Sequence, residues 1–409
     1  MGIEMPLISS VLARLPDENI QLAAFGGVVF PLALLVEAPV IMMLAASTAL
    51  STNESAYLIL KRFMVRLAVA MTLLHILLAF TPLYDIFLVP LLDIPEEVIE
   101  PARLGFQMIL PWTWAIADRR FHQGLLIRFG KRKAVAVGTG VRLATTTFVL
   151  GSGWLLNIQG ALLAGSTLAI STIGEALYTR WQVRSVIHGP LKDEPINDVV
   201  TRGIDLWKFY IPLAITPFLV LAMHPIGAAG IDRMAAPVLS LAVWAPLAGL
   251  VFFCRSAGMA FNEVVIGHAS EPGALRSLRR FAIVGGLLAT AILGLLSLPP
   301  ASSRWFGNVI GLQQELVELG VSNLWIAIPI PLMTFLQSYY QGIAVNAHQT
   351  RIITESVLVY AVVMVAIVVI AVAMQPPHGI TAIIIATTIG NVAQTIWLWF
   401  RCNSKQLDC

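Results

Sequence analysis

A chain that states one pattern twice must fold as two copies of one motif. Here Leu60, Arg62 and Phe63 return as Leu278, Arg280 and Phe281, a spacing of 218 residues. The same spacing links Pro82 to Pro300, Pro111 to Pro329 and Gln123-Gly124 to Gln341-Gly342. No net insertion separates the copies over this stretch. Duplication of this length in an apolar chain is the pattern of membrane carriers built from two equivalent halves.

Only 12% of the residues are charged and 57% are hydrophobic. A soluble domain carries about 25% charged residues, so this chain cannot present a water-compatible surface. A net charge of +3 is too small to attract nucleic acid. Cys254, Cys402 and Cys409 show no metal-ligand spacing and read as free thiols.

Crossing the hydrocarbon takes about 20 mostly apolar residues. Such runs fall at 22–50, 63–83, 103–118, 134–156, 160–180, 206–224, 234–254, 281–299, 323–344, 353–374 and 379–400. The third is short but continues amphipathically toward Gly130. The chain therefore reads as all-α and polytopic, with about eleven transmembrane helices.

Basic residues orient these spans. Apart from Arg14, Arg103, Arg233, Arg304 and the mid-span Arg142, every Lys and Arg falls on one side, Arg119 and Arg120 included. The positive-inside rule makes that side cytoplasmic, with the C-terminus inside. A plasma membrane is the expected location (the inner membrane in a Gram-negative bacterium). Asp85, Asp93, Glu96, Glu97 and Glu100 then lie in an external loop.

The polar stretch 188–203 reads as the linker between an N-terminal lobe, 1–187, and a C-terminal lobe, 204–409. Six spans per repeat is an even number, so both copies insert the same way, about an axis along the membrane normal. Ser171-Thr172-Ile173-Gly174 also returns as Thr387-Thr388-Ile389-Gly390, now at a spacing of 216. At the amino end, matching Leu22-Ala23-Ala24 to Met234-Ala235-Ala236 gives a spacing of 212. On that match the equivalent of 206–224 begins before Met1, and only Ile3 to Leu15 remains. Thirteen residues reach about 20 Å, too short to span. The first helix is thus largely absent. Either the fragment is half-inserted or the natural chain starts upstream.

Twelve expected spans in two sixes, an apolar helix after the short acidic Leu15-Pro16-Asp17-Glu18-Asn19, and the repeated Gln-Gly together resemble the MATE/MOP exporter superfamily. Ile109-Leu110-Pro111 leading to Gln123-Gly124 resembles its fourth helix, and Ile328-Pro329 leading to Gln341-Gly342 its tenth. The superfamily includes multidrug extruders, lipid-linked flippases and progressive ankylosis proteins. The resemblance implies two pseudo-symmetric six-helix bundles around a central cleft, alternating access, exchange of substrate for protons or sodium, and action as a monomer. It also implies that the spans at 22–50, 206–224 and 234–254 line the cleft. The family's acidic sodium-site residues of the seventh and tenth helices have no counterparts here: 211–221 and 324–345 contain no acidic residue.

Glu37 is the leading candidate for chemistry, mid-span in Val36-Glu37-Ala38-Pro39. An ionisable group there costs about 2.5–3.5 kcal/mol by insertion scales and is a functional hypothesis by default. Pro39 can kink the helix and free a carbonyl one turn back. Glu37 reads as a site for a proton, a sodium ion or a cationic substrate, or else as a neutral, hydrogen-bonded structural acid. Glu175 and Arg142 read as an intramembrane ion pair, and His75 as a proton relay or a plain helix-to-helix hydrogen bond.

In the second copy, Arg255 reads as a snorkelling cation or an anion contact, and Trp244 as a stacking or packing ring. Gln337, Tyr340 and Gln341 form a polar face. Pro212, Pro217 and Pro246 read as hinges or simple kinks. No nucleophile–base set, phosphate loop, metal cluster or cofactor motif is present, so an enzyme is not expected. The reading is a secondary exporter of small organic molecules coupled to H+ or Na+. A lipid-linked flippase, an organic-anion exporter and a non-transporting membrane scaffold are the alternatives.

Overall fold

The computed structural model describes residues 3–193, 203–269, 271, 273–347, 349 and 351–404. Residues 194–202 of the expected linker, Cys409 and the side chain of Pro212 lie outside the described residues. Among the described residues every regular element is a helix. The first copy contains α1 (Glu4–Leu12) and the long, interrupted α2 (Glu18–Leu50). It continues with α3 (Glu54–Phe80), α4 (Glu96–Met108), α5 (Leu110–Arg128), α6 (Arg132–Leu155) and α7 (Gly160–Ile187). The second begins with α8 (Gly203–Asp232), α9 (Pro237–His268) and α10 (Ala274–Ser297). It ends with α11 (Gln314–Leu324), α12 (Ile330–Asn346), α13 (Arg351–Met374) and α14 (Gly379–Ser404).

The backbone repeats more faithfully than the side chains. Glu96 opens α4 and Gln314 opens α11; Arg128 closes α5 and Asn346 closes α12, all at the 218 spacing. Left-handed residues recur in step: Asp93 with Gly311, and Asn157 with Gln375. Asp17 (φ 54°) directly before α2 matches Ala236 (φ 49°) directly before α9, a spacing of 219. This corrects the expected spacing of 212 at the amino end. The three-residue match behind it was chance similarity among small apolar residues, whereas the turn geometry keeps the overall period. On the corrected spacing, α1 corresponds to the last turns of α8.

Ten helices are long and apolar enough to cross a membrane among the described residues. The third expected span is the one that does not qualify. It is built as α4 and α5, interrupted at Ile109, and α5 carries Asp118, Arg119, Arg120 and His122. Pro111 sits in the first turn of α5 and Pro331 in the first turn of α12. Proline suits that position, where its missing N–H has no intrahelical partner to lose. α3 starts where the Asn53 side chain accepts a bond from the Ala56 N–H at 2.9 Å, a side-chain N-cap.

α10 shows how the surface is arranged. Leu278, Ala282, Gly286, Ala289, Leu293 and Ser297 face inward at helical spacing, while Phe281, Val284, Leu288 and Leu295 are exposed. A helix with large apolar groups outside and small ones inside suits hydrocarbon surroundings. The chain is a multi-pass membrane protein.

Two compact units emerge: Leu15–Pro225, and Gly2–Arg14 with Ile226–Cys409. The division between these units falls inside α8, and α1 joins the second unit. Side chains explain both placements. Gly249 of α9 lies against Met5 and Pro6 of α1. Arg14 donates to the carbonyls of Ile310 at 2.6 Å, Asn308 at 3.1 Å and Val309 at 3.2 Å. In the first unit, Tyr210 of α8 donates its hydroxyl to the Pro39 carbonyl at 2.6 Å, and Trp207 and Tyr210 set their rings edge-on to Phe63.

Candidate functional site: a buried charge cluster in the first unit

The helix bearing Glu37 changes its geometry twice along its length. α2 passes from α to π geometry over Ala24–Val29, where Gly26 and Gly27 sit, and into a 3-10 turn at Ala38–Val40 around Pro39. Glu37 ends the intervening α segment and is buried. The charges that act on it come from other helices: Arg120 and Arg119 of α5, and Arg142 of α6.

Glu175 of α7 is the anchor of the cluster. It accepts from Arg119 Nη1 at 2.5 Å and from Gln123 Nε2 at 3.0 Å, and Arg142 Nη1 lies at 3.8 Å. Arg119 is 1% exposed, yet its Nε and Nη2 donate to no protein group, and neither does Nε of Arg120. Two guanidinium groups, those of Arg119 and Arg142, thus share the Glu175 carboxylate in the helical interior. One helical turn away, Asp118 accepts from Arg180 Nη2 at 3.2 Å, with His122 Nδ1 at 3.3 Å.

The ion pair expected between Arg142 and Glu175 is present, but Arg119 is the nearer partner. Arg119 and Arg120, expected on the cytoplasmic side with the other basic residues, are buried and half-buried respectively. The repeat carried the missing signal. Gln337, read as part of a polar face, stands 218 residues after Arg119, and both residues are buried.

His75 is buried and hydrogen-bonded through both ring nitrogens. Its Nε2 lies 2.9 Å from the Phe106 carbonyl and its Nδ1 2.9 Å from the Thr113 hydroxyl. A carbonyl only accepts, so Nε2 carries the proton and Nδ1 accepts from Thr113. The ring also stacks on Phe106 at 4.2 Å. Phe106 lies in the last turn of α4, where carbonyls lack helical partners.

The remaining candidates are not part of this cluster. In the second unit, Gln337 Nε2 donates to Asn391 O at 3.1 Å and to Thr395 Oγ1 at 3.1 Å, and lies 3.3 Å from Asn391 Oδ1. Arg255 is half-buried, faces Tyr360, and its Nε has no protein acceptor. Tyr360 is hydrogen-bonded to Thr387. Trp244 packs against Gly227, Tyr340 sets its ring edge-on to Tyr339, and Gln341 is half-buried. α8 continues through Pro212 and Pro217, and α9 through Pro246. Among the described residues no group of three or more His, Cys, Asp or Glu could hold a metal ion.

Gly124 and Gly342 explain the repeated Gln-Gly. A Cβ at Gly124 would lie 2.4 Å from the Leu44 carbonyl of α2, and one at Gly342 would lie 2.6 Å from Val265 Cβ of α9. Each glycine lets the same pair of helices touch in its own repeat.

No family model and no curated protein matches the sequence. Solved structures do match in shape. An inward-facing multidrug resistance MATE family transporter of the MOP superfamily superposes with a TM-score of 0.72 at 14% identity, covering 100% of this chain and 95% of that one. The lipid II flippase MurJ in an inward closed conformation gives 0.70 at 13% identity, covering 98% and 85%. The MATE multidrug transporter DinF-BH, solved as a complex, gives 0.67 at 15% identity, covering 100% and 94%. This chain has the fold of these MATE transporters and of MurJ. Within this fold, the first repeat holds the cluster of Glu37, Arg119, Arg120, Arg142 and Glu175, and the second repeat has the neutral Gln337, Tyr360 and Asn391 at the positions that match Arg119, Arg142 and Glu175.

Proposed function

We propose that this chain is a secondary active transporter that moves small organic molecules by alternating access, in exchange for protons or sodium. The carrying observation is Glu37: a buried carboxylate on a broken helix, under the charges of Arg120, Arg119 and Arg142. Neutralising that one carboxylate, by a proton or by a bound cation, changes the net charge of the whole cluster by one unit. In a low-dielectric interior such a change redistributes the guanidinium groups far more than it would in water. The break at Pro39, held from α8 by Tyr210, supplies a point at which the helix can bend in response. The fold shared with multidrug transporters and a lipid II flippase supports the carrier reading. On this reading the chain works as a monomer, without enzymatic chemistry, in the plasma membrane with its C-terminus cytoplasmic.

Reconstituted into proteoliposomes, the wild-type chain should drive substrate flux from an imposed pH or sodium gradient, and Glu37→Gln should lose that coupling. Unchanged gradient-driven flux in the Glu37→Gln protein would overturn the role given to Glu37. Absence of gradient-driven flux in the wild type would favour the scaffold reading.

A further inference from the structure

Where α5 ends and α6 begins, the first unit carries four cations in six residues: Arg128, Lys131, Arg132 and Lys133. The matching positions of the second repeat, 218 residues on, hold Asn346, Gln349, Thr350 and Arg351. One of the four cations has a structural task. Arg128 Nη1 donates to the carbonyls of Thr48 at 2.9 Å and Ala49 at 3.3 Å, in the last turn of α2, where carbonyls lack helical partners. In the second repeat Asn346 Nδ2 donates to the Ile266 carbonyl of α9 at 3.4 Å. A neutral amide thus meets the matching helix end, and this contact does not in itself require a cation.

Lys131 donates to Ser185 Oγ at 2.6 Å. Arg132 and Lys133 open α6, whose first turn holds no acidic residue. A helix N-terminus is the positive end of its dipole, so two cations there are repelled by the helix and by each other. Among the described residues no carboxylate pairs with Arg128, Arg132 or Lys133. At this corner lies a notch of about 450 Å³, lined by Thr48, Ile127, Arg128, Phe129 and Arg132. Two guanidinium groups therefore share one opening with two large apolar side chains. The positive-inside rule accounts for cations on this side of the chain, but it calls for neither a cavity nor apolar walls.

We propose that this notch binds the headgroup of an anionic phospholipid from the adjoining leaflet. Arg128 and Arg132 meet the phosphate, to which a guanidinium offers paired N–H donors. Ile127 and Phe129 meet the glycerol and the first methylenes of the acyl chains. A free phosphate has no use for those apolar walls, which is why a lipid is the occupant. The notch lies on the side expected to be cytoplasmic, where the leaflet carries the anionic lipids. A bound phosphate also supplies the negative charge that the start of α6 lacks. Because Arg128 caps α2, the helix that carries Glu37, the headgroup and that helix end share one side chain.

The test is native mass spectrometry of the full chain in detergent, titrated with phosphatidylglycerol or with phosphatidylcholine. Phosphatidylglycerol should be retained more tightly. Arg128→Asn combined with Arg132→Thr writes the second repeat's residues into the notch. It should weaken phosphatidylglycerol binding about 25-fold, at about fivefold per basic residue, with a melting temperature near the wild type. Arg132→Thr alone leaves the cap of α2 intact and should weaken binding about fivefold, which keeps the test decisive if the double variant fails to fold. Arg279→Gln with Arg280→Gln removes equal charge from exposed positions of the second unit and should leave the affinity unchanged. Equal retention of the two lipids, equal weakening by the two double variants, or displacement of phosphatidylglycerol by inorganic phosphate at equal concentration would overturn the proposal.

Discussion

The two repeats build one joint from different chemistry. In the first, Arg119 of α5 meets Glu175 of α7; in the second, Gln337 of α12 meets Asn391 of α14. These positions correspond at spacings of 218 (Arg119 to Gln337) and 216 (Glu175 to Asn391). Even the neighbouring bonds repeat: Thr179 donates to the Glu175 carbonyl and Thr395 to the Asn391 carbonyl, both at 2.7 Å. Arg142 stands where the second repeat has Tyr360. The 219 spacing of Asp17 and Ala236 carries Glu37 onto Ser256, beside Arg255. An acid on the second helix of one copy thus answers a base beside the matching position of the other. Since amides hold the matching joint without charge, this helix contact does not in itself require ions. A buried ion pair is weak evidence for stability, while breaking one leaves an uncompensated charge.

The largest effect should come from removing the anchor. Glu175→Ala removes the carboxylate that accepts from Arg119 and Gln123 and should destabilise the protein by about 3–5 kcal/mol. Asn391→Ala, the same deletion in the neutral copy, should cost only about 0.6 kcal/mol. Thermal unfolding of both variants in one detergent checks the contrast, and equal losses would break it.

A smaller difference should separate the two packing glycines, each substitution costing about 1–3 kcal/mol by overpacking. Gly124→Ala should exceed Gly342→Ala, because its Cβ would meet the Leu44 backbone carbonyl, whereas the other meets the Val265 side chain. Melting temperatures in the reverse order would show that α2 yields more readily than α9.

Much of the fold was legible because one period ran through it. The 218 spacing located matching helix ends, and the Gln-Gly pairs marked the close helix contacts. Glu37 and the Arg142–Glu175 pair were legible too, since ionisable residues stand out in apolar runs. The burial of Arg119 and Arg120 was not legible, because a basic residue's place in the sequence gives its expected side and not the helix it packs against. The membership of α1 and the division of α8 were not legible at all. They depend on contacts between distant segments, such as Arg14 with Ile310 and Tyr210 with Pro39, and no local pattern encodes those.

The central claim is that the charge of the first repeat serves transport and not the fold. Converting Arg119 to Gln together with Glu175 to Asn writes the second repeat's pair into the first. Thermal unfolding and gradient-driven flux should be measured on that one double variant. The account predicts a melting temperature close to the wild type and the loss of coupled flux. A folded double variant with undiminished coupled flux would contradict it.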